Sequence, residues 1–248
     1  MNKQYKLLTC TINGKKVEKM IDVRASLTDV LRDDFRLTSV KKGCEVGECG
    51  ACNVIIDGEC FNSCIYLGVW AEGKEILTLE GLAGPNGELS DIQQAFIDEA
   101  AVQCGFCTPG FIMSAKVLLE NNPSPTREEV RDWFNKNRNL CRCTGYKPLI
   151  DAVMDAAKVL RGEMSKEDLM FKPTDNKILG TTYARPSGIA KVTGSWDFGA
   201  DEIKKMPEDT LQIALVQAEV SHALIKGIDT SEAENMPGVY KVITYKDV

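Results

Sequence analysis

Ten cysteines constrain the fold and chemistry of this 248-residue chain more than any other feature. They are Cys10, Cys44, Cys49, Cys52, Cys60, Cys64, Cys104, Cys107, Cys141 and Cys143. The apolar segment at the N-terminus is too short and too polar to be the core of a secretory signal peptide. We therefore expect a reducing, cytoplasmic environment, in which closely spaced cysteines act as thiolate ligands of metals rather than as disulfides.

The first cysteine group has the spacing Cys44-x4-Cys49-x2-Cys52, with Cys64 eleven intervening residues further on. Plant-type ferredoxins have this spacing, and in them four thiolates bind one [2Fe-2S] centre. A structural zinc site also uses four cysteines but usually pairs them as C-x2-4-C, so zinc is the weaker alternative. Cys60 lies on the same predicted strand as Cys64. Because even spacing places both on one face, the spacing leaves the fourth ligand open between them.

The second cysteine group consists of Cys104-x2-Cys107 and Cys141-x-Cys143, two short motifs that each precede a predicted helix. Helix N-termini stabilise negative charge, so two such loops can hold a set of thiolates at one end of a helical bundle. The Cys-x-Cys motif is unusual for a zinc knuckle. We therefore predict a second [2Fe-2S] centre here, with zinc as the alternative.

Apolar periodicity predicts a small mixed sheet over residues 1–80 and a helical bundle over residues 81–162. Asn13-Gly14 is typical of a hairpin turn, and Ser26 followed by Asp29 is typical of a helix start. The predicted strands are Tyr5–Ile12, Val17–Val23, Ala51–Ile56 and Cys60–Leu67. Capping pairs and prolines predict four later helices, which begin near Ser90, Pro109, Thr126 and Pro148.

The composition changes again after the predicted helices. Residues 163–183 are polar and contain Pro and Gly, which predicts a linker. Residues 184–248 contain three strand-like stretches, Leu211–Val220, Ile225–Ile228 and Val239–Thr244, which are too few to close an independent domain. We therefore expect an α+β protein with two metal-binding domains, a linker and an incomplete last region.

Charge and hydropathy argue against two classes of partner. Lys and Arg total 30 against 36 Asp and Glu, a net charge of −6, and no basic block is present, so we expect no nucleic-acid partner. No apolar run approaches the roughly 18 residues of a membrane span, so we expect no membrane partner.

Three motifs resemble those of one protein family. They are Cys-Glu-Val-Gly-Glu-Cys-Gly-Ala-Cys at 44–52, Gln-Cys-Gly-Phe-Cys-Thr-Pro-Gly-Phe at 103–111 and Asn-Leu-Cys-Arg-Cys-Thr-Gly-Tyr at 139–146. In this order they resemble the iron-sulfur part of the xanthine dehydrogenase and aldehyde oxidoreductase family of molybdenum hydroxylases. The resemblance implies a β-grasp ferredoxin-like domain, a four-helix-bundle domain, one [2Fe-2S] cluster in each, and the start of the molybdenum-binding α+β region after the linker.

Residue roles follow from the same resemblance. It places the fourth ligand of the first cluster at Cys64 and makes the four cysteines of the second group ligands of the other cluster. Gln103 and Cys143 match family residues that touch the molybdopterin cofactor, for which we expect the dinucleotide form. The family's molybdenum contacts and catalytic glutamate lie in a region beyond Val248, so we expect no catalytic residue in this chain.

The short linker after the helical domain indicates which members of this family the chain resembles most. Eukaryotic-type xanthine dehydrogenases place a flavin domain there, whereas about twenty linker residues intervene here, so no FAD is expected in cis. This arrangement resembles flavin-lacking bacterial aldehyde oxidoreductases. Residues 38–119 equally resemble the small iron-sulfur subunit of bacterial xanthine dehydrogenases.

The implied function is electron transfer within a larger enzyme that oxidises aldehydes to carboxylic acids. The implied partners are a molybdenum-binding subunit or remainder of the chain, and a ferredoxin, flavodoxin or separate flavin subunit as electron acceptor, in a dimeric assembly. The alternatives are the iron-sulfur subunit of a xanthine or other N-heterocycle dehydrogenase, a stand-alone ferredoxin-like carrier, and a zinc-stapled binding module.

The substitution Cys107→Ala tests for the second cluster. If Cys107 is a ligand, its loss removes one of two distinct reduced-state EPR signals and leaves the other in place. The measurement is the EPR spectrum of the dithionite-reduced protein beside that of the unsubstituted protein. Unchanged spectra would contradict a second cluster at this site.

Overall fold

The computed structural model describes residues 4–170, 179 and 183–247. The chain divides into two compact units, Met1–Phe198 and Gly199–Val248. The domain boundaries placed at residues 80, 162 and 183 stay predictions. Within the predicted linker, residues 171–178 and 180–182 lie outside the described residues.

A five-stranded mixed sheet opens the first unit. Its strands are β1 (Tyr5–Ile12), β2 (Lys15–Asp22), β3 (Asn53–Ile56), β4 (Glu59–Asn62) and β5 (Glu75–Leu77). Their order is β2-β1-β5-β3-β4, with β1 parallel to β5 and the other neighbours antiparallel. Asn13 and Gly14 have the positive φ angles, 49° and 76°, that a two-residue hairpin turn requires.

A short helix covers one face of this sheet. α1 (Leu27–Asp29) continues as a π-helix over Val30–Asp34. Ser26 caps α1, because its hydroxyl accepts a hydrogen bond from the Asp29 N–H at 3.1 Å while the Asp29 carboxylate accepts one from the Ser26 N–H at 3.3 Å. The apolar side chains of the helix share a core with Leu8 of β1. Sheet and helix together form the β-grasp domain that the resemblance implies.

Four helices form the next layer. They are α2 (Asp91–Asp98), α3 (Thr108–Asn121), α4 (Arg127–Lys136) and α5 (Lys147–Leu160). Capping boxes at Ser90 and Thr126 and prolines in the first turns of α3 and α5 begin them, as predicted. Phe96, Phe111 and Leu149 are fully buried in their common core. None of the described helices is long and apolar enough to cross a bilayer.

Strand β3 belongs to both cores. Successive side chains of a strand point to opposite faces. Accordingly, Val54 and Ile56 lie in the core on the α1 side, whereas Ile55 lies in the core of the helical layer. Helix α3 packs directly on β3. One face of β3 therefore packs in the core of the ferredoxin-like domain, and its other face packs in the core of the helical domain.

Two later segments also pack on the helical layer. A 3-10 helix over Lys166–Leu169 buries Leu169 in the helical core, although the sequence predicts a linker there. Further on, α6 (Gly188–Thr193) contacts α2 and α3 and buries Val192. Each segment is anchored by a single fully buried apolar residue. The polar composition of the residues around it gives no indication of this packing.

One predicted strand ends earlier than expected. The prediction of a strand over Cys60–Leu67 is wrong after Asn62, because Ser63–Ile65 forms a 3-10 helix. The N–H and the hydroxyl of Ser63 both donate to the Cys52 carbonyl oxygen, at 3.3 and 2.7 Å. The first of these bonds extends the β3–β4 register, in which Asn53 pairs with Asn62, by one position before the chain turns into the 3-10 helix.

The second unit has no strand within its described residues, 199–247. Its elements are α7 (Gly199–Glu202), a 3-10 helix at Ile203–Lys205 and α8 (Ser231–Glu234). The strand predictions are therefore wrong for Leu211–Val220, Ile225–Ile228 and Val239–Thr244. A strand needs a hydrogen-bonding neighbour, and apolar residues alone do not supply one. Ile213 and Val216 are accordingly exposed.

Helix α3 meets the cysteine loop before β3 backbone to backbone. A Cβ atom on Gly110 would lie 2.0 Å from the Gly50 carbonyl oxygen. Gly50 has a φ of +65°, and a Cβ atom there would lie 2.9 Å from the carbonyl oxygen of Arg138. The two glycines therefore allow a contact that no larger residue permits.

The substitution Gly110→Ala tests this contact. In an unhindered helix, Ala is more favourable than Gly by about 1 kcal/mol. Here we expect the opposite sign, a loss of about 1–3 kcal/mol from overpacking against a backbone atom, measured as a lower urea midpoint by circular dichroism.

Gly227→Ala is the matched control, because a Cβ atom on Gly227 meets nothing within 4 Å. We expect its midpoint to stay close to that of the unsubstituted protein. A Gly110→Ala midpoint as high as that of the control would contradict the close approach.

Candidate metal centres

The first cysteine group lies in the loop before β3 and in the 3-10 helix after β4. The thiols of Cys44 and Cys49 lie close enough to shift each other's pKa, and so do those of Cys52 and Cys64. Cys49 and Cys52 also interact through charge. The four thiols therefore converge as two adjoining pairs, which we call the ferredoxin-domain set.

Backbone N–H groups and burial act in opposite directions on this set. Burial alone would raise the pKa of Cys44, but hydrogen bonds from the N–H groups of Val46 and Glu48, with the contact to Cys49, lower it to about 7. Burial raises the pKa of Cys52 to about 12, and the charge of Cys64 adds to that rise. Metal binding removes the protons of its thiol ligands, so a metal centre here would have to offset the effect of burial on Cys52.

The structure separates Cys60 from Cys64, which the sequence places on one face of a single strand. Cys64 lies in the 3-10 helix beside Cys52. Cys60 lies in β4 and packs on the helical core beside Ser114 of α3, where burial raises its pKa to about 12. Of the two candidates, only Cys64 lies with the ferredoxin-domain set.

The second cysteine group lies in the two loops that precede α3 and α5. The thiols of Cys107 and Cys141 lie close enough to shift each other's pKa, as do those of Cys104 and Cys143, and Cys104 and Cys107 also interact through charge. These four thiols again form two adjoining pairs, the helical-domain set. Cys104 and Cys143 are exposed, whereas Cys107 and Cys141 are half-buried.

The pKa values of the two half-buried thiols of this set, Cys107 and Cys141, shift in opposite directions. The contact with Cys107 is the main cause that lowers the pKa of Cys141 to about 5, and hydrogen bonds from Thr144 add to it against the effect of burial. The pKa of Cys107 moves upward because of Cys141 and then of burial. The two thiols therefore move in opposite directions because of their mutual contact.

Thr144 and Tyr146 shape the second loop, and sequence reasoning did not single them out. The Thr144 hydroxyl donates to the Cys141 Sγ at 3.2 Å. The Tyr146 Oη accepts a hydrogen bond from the Cys141 N–H at 3.2 Å, and Tyr146 adopts a φ of 69° immediately before α5. The available signal was the Thr-Gly-Tyr sequence that directly follows Cys143.

Direct contacts join the two sets. The N–H of Leu140, next to Cys141, donates to the Cys49 carbonyl oxygen at 3.1 Å. Cys107 immediately precedes α3, whose Gly110 contacts Gly50 of the loop before β3. Both loops of the helical-domain set are therefore attached to the loop of the ferredoxin-domain set.

The two predicted cofactor-contacting residues lie on the outer side of the helical-domain set. Cys143 is exposed, and Gln103, which precedes Cys104, is half-buried. The Gln103 carbonyl oxygen accepts a hydrogen bond from the Lys191 Nζ at 2.8 Å. The roles of Gln103 and Cys143 toward molybdopterin stay predictions.

The donor chemistry of each set fits a [2Fe-2S] cluster. Such a cluster takes four thiolates, two on each of its two irons, and each set supplies four thiols in two pairs. Over the described ranges, no group of three or more His, Cys, Asp or Glu side chains is placed to hold one metal ion. The assignment of individual cysteines as ligands stays a prediction.

Paired substitutions at Cys64 and Cys60 test the first set. Cys64→Ala should abolish the EPR signal of the ferredoxin-domain cluster, because it removes one of the four thiols. Cys60→Ala removes a thiol of the same hairpin region that lies outside the set, so both signals should persist. A protein that keeps both signals after Cys64→Ala and loses one after Cys60→Ala would reverse the assignment.

Two domain families match successive parts of the chain. Residues 10–77 match the 2Fe-2S iron-sulfur cluster binding domain, and residues 78–154 match the [2Fe-2S] binding domain. The first match ends with β5, and the second covers α2 to α4 and half of α5. The sheet and the helical layer are therefore two distinct [2Fe-2S] domains.

Known proteins resemble the chain beyond these domains. Aldehyde oxidoreductase of Megalodesulfovibrio gigas is 55% identical over 240 residues, covering 96% of this chain and 26% of the relative. The crystal structure of aldehyde oxidoreductase from Desulfovibrio desulfuricans matches with a TM-score of 0.84 and 56% identity, over 98% of this chain and 27% of that one. The chain thus spans about a quarter of the length of these relatives.

A shorter relative matches over nearly its full length. The xanthine dehydrogenase iron-sulfur-binding subunit of Escherichia coli O157:H7 is 48% identical over 153 residues, which cover 61% of this chain and 94% of the relative. An iron-sulfur-binding subunit of this kind agrees with the two [2Fe-2S] domains and the paired thiol sets of this chain. The chain therefore belongs to the xanthine dehydrogenase and aldehyde oxidoreductase family, as an iron-sulfur part of molybdenum hydroxylases.

Proposed function

We propose that the chain carries electrons from a molybdopterin centre through two [2Fe-2S] clusters while aldehydes are oxidised to carboxylic acids. The observation that carries this proposal is the joining of two four-cysteine sets by the hydrogen bond from Leu140 to Cys49 and the contact of Gly110 with Gly50. Two redox centres that are attached through these contacts form one electron-transfer path rather than two independent sites.

Each set holds one cluster in this proposal. The ligands of the first are Cys44, Cys49, Cys52 and Cys64, and those of the second are Cys104, Cys107, Cys141 and Cys143. The bound clusters supply one-electron redox centres. The chain's own residues hold the thiolates with backbone N–H donors, such as that of Glu48, and with the starts of α3 and α5.

The exposed pair of the helical-domain set faces the electron donor. Gln103 and Cys143 contact the molybdopterin, in its dinucleotide form, at the interface with a molybdenum-binding subunit or the remainder of a longer chain. The overall reaction adds an oxygen atom from water to the aldehyde and releases two protons and two electrons. No FAD is bound by this chain, and the assembly is dimeric.

The ferredoxin-domain set faces the electron acceptor. Val46 and Ile65, beside the cysteine loop, are 65% and 60% exposed and give this end of the chain an apolar contact surface. The acceptor is a ferredoxin, a flavodoxin or a separate flavin subunit. The ten free thiols suit a reducing compartment, so we place the protein in the cytoplasm.

The extent of similarity favours aldehydes over purines. The match to aldehyde oxidoreductase covers 96% of the chain and so includes residues after the helical domain, whereas the match to the xanthine dehydrogenase subunit covers 61%. The iron-sulfur subunit of a xanthine or other N-heterocycle dehydrogenase is the second candidate function.

The second unit argues against a stand-alone carrier. Ile213, Val216 and Ile225 are largely exposed, and an apolar surface of this kind requires a partner to cover it. A molybdenum-binding partner supplies that cover. A lone chain that runs as a stable monomer in gel filtration would favour the carrier instead.

Metal analysis and substrate reduction test the proposed function together. We expect about four Fe per Mo, and no Zn, in the assembly purified from its native cells under non-denaturing conditions, because two two-iron centres serve one molybdenum. Anaerobic addition of an aldehyde should then bleach the visible absorption of the clusters and produce both reduced EPR signals.

Xanthine, added to a second sample of the same preparation, is the control. Bleaching by xanthine alone would select the purine enzyme. Iron without molybdenum would leave an electron carrier, and zinc in place of iron would overturn the proposal.

A further inference from the structure

Lys191 of α6 is a buried cation without a carboxylate partner in the part of the chain that the structure describes. It is 8% exposed. Its Nζ donates to the Gln103 carbonyl oxygen at 2.8 Å and lies 4.9 Å from the centroid of the Trp196 ring. Fully buried lysines are almost always paired with a negative charge. The charge of Lys191 therefore requires a counter-charge.

The side chain of Lys191 lies on the first loop of the helical-domain set. A Cβ atom on Gly105, between Cys104 and Cys107, would lie 2.5 Å from the Lys191 Cδ. The absence of a side chain at Gly105 thus makes room for the lysine. Among the charges that act on Lys191, that of Cys104 is attractive, whereas Arg185 repels it.

The position of Lys191 is fixed by its helix. The carbonyl oxygen of Val192, the next residue, accepts a 2.7 Å hydrogen bond from the Gln93 Nε2, while the Gln93 Oε1 accepts from the Ser90 N–H that begins α2. Both Val192 and Gln93 are fully buried. The ammonium group is therefore held beside the cysteines by the core rather than by solvent contacts.

We propose that Lys191 is the resident counter-charge of the helical-domain cluster and stabilises its reduced state. The inference rests on the proposed function, in which Cys104, Cys107, Cys141 and Cys143 hold that cluster. Reduction adds one electron and hence one negative charge to the site. A buried ammonium group in a medium of low dielectric lowers the free energy of that added charge and raises the reduction potential.

Lys191 acts on the cluster through space and is a positioning residue, not a catalytic one. The ferredoxin-domain set has no such contact with Lys191, so the effect is selective for one cluster. By raising the reduction potential of the helical-domain cluster alone, the lysine changes the difference in potential between the two clusters.

The experiment is a redox titration of the full iron-sulfur-loaded assembly with dithionite and mediators, followed by the two EPR signals. Lys191→Met keeps the apolar stem that packs on Gly105 and removes the charge together with the hydrogen bond to the Gln103 carbonyl oxygen. We expect the equilibrium constant for reducing the helical-domain cluster to fall about tenfold, ~59 mV for one electron. The potential of the ferredoxin-domain cluster should stay unchanged, and Lys191→Arg should retain the unsubstituted value.

Lys158→Met is the matched control, because it removes an equal charge from the same domain. Lys158 of α5 is half-buried and paired with Asp155 at 2.7 Å. A shift in Lys191→Met no larger than that in Lys158→Met would overturn the inference. An equal shift of both clusters would do so too, because it would indicate a general effect of net charge.

Lys191→Gln covers the case in which Lys191→Met does not retain the cluster. It is neutral but keeps a donor for the Gln103 carbonyl oxygen. Loss of the cluster in both neutral variants with retention in Lys191→Arg would support the counter-charge, and loss in all three would assign Lys191 to packing alone. Iron analysis of each sample separates these results from failure of the proposed function, which would leave even the unsubstituted assembly without two clusters.

Discussion

The contact between Gly50 and Gly110 sets the geometry on which both cysteine sets depend. Helix α3 begins directly after Cys107, and in its first turn Gly110 meets the carbonyl group of Gly50, next to Cys49. A side chain at Gly110 would push the helix away from this loop, and one at Gly50 would meet the carbonyl oxygen of Arg138, shortly before the second cysteine motif of the helical-domain set. The spacing between the two redox sites is thus fixed by the absence of side chains, and the Leu140 hydrogen bond repeats the attachment from the other loop.

Eight thiols lie in adjoining loops, and as thiolates they would concentrate negative charge that the net charge of the chain does not offset. The chain carries a net charge of −6, so its overall field disfavours further negative charge. Compensation is therefore local. It comes from N–H donors such as that of Glu48, from the Thr144 hydroxyl, from the starts of α3 and α5, and from the ammonium group of Lys191.

Signals that act within a few residues predicted much of the fold. The Asn13-Gly14 turn and the capping boxes at Ser26, Ser90 and Thr126 each work through backbone geometry and hydrogen bonds across two to four positions. These turns and caps form without contacts to distant parts of the chain. Cysteine spacing is equally local and predicted the two groups. The pairs within the helical-domain set, Cys107 with Cys141 and Cys104 with Cys143, join two distant motifs and were not predicted.

The features that escaped prediction depend on contacts between distant residues. The 3-10 helix at Ser63 brings Cys64 beside Cys52 and leaves Cys60 on the helical core. The spacing of the two cysteines left this separation open, and only the family resemblance placed the ligand at Cys64. The place of Lys191 over Gly105 joins positions far apart in the chain. In the same way, a strand-like stretch such as Leu211–Val220 does not become a strand without a neighbour to pair with. The sequence pattern of a segment therefore states what it is able to form, whereas its partner decides whether it forms.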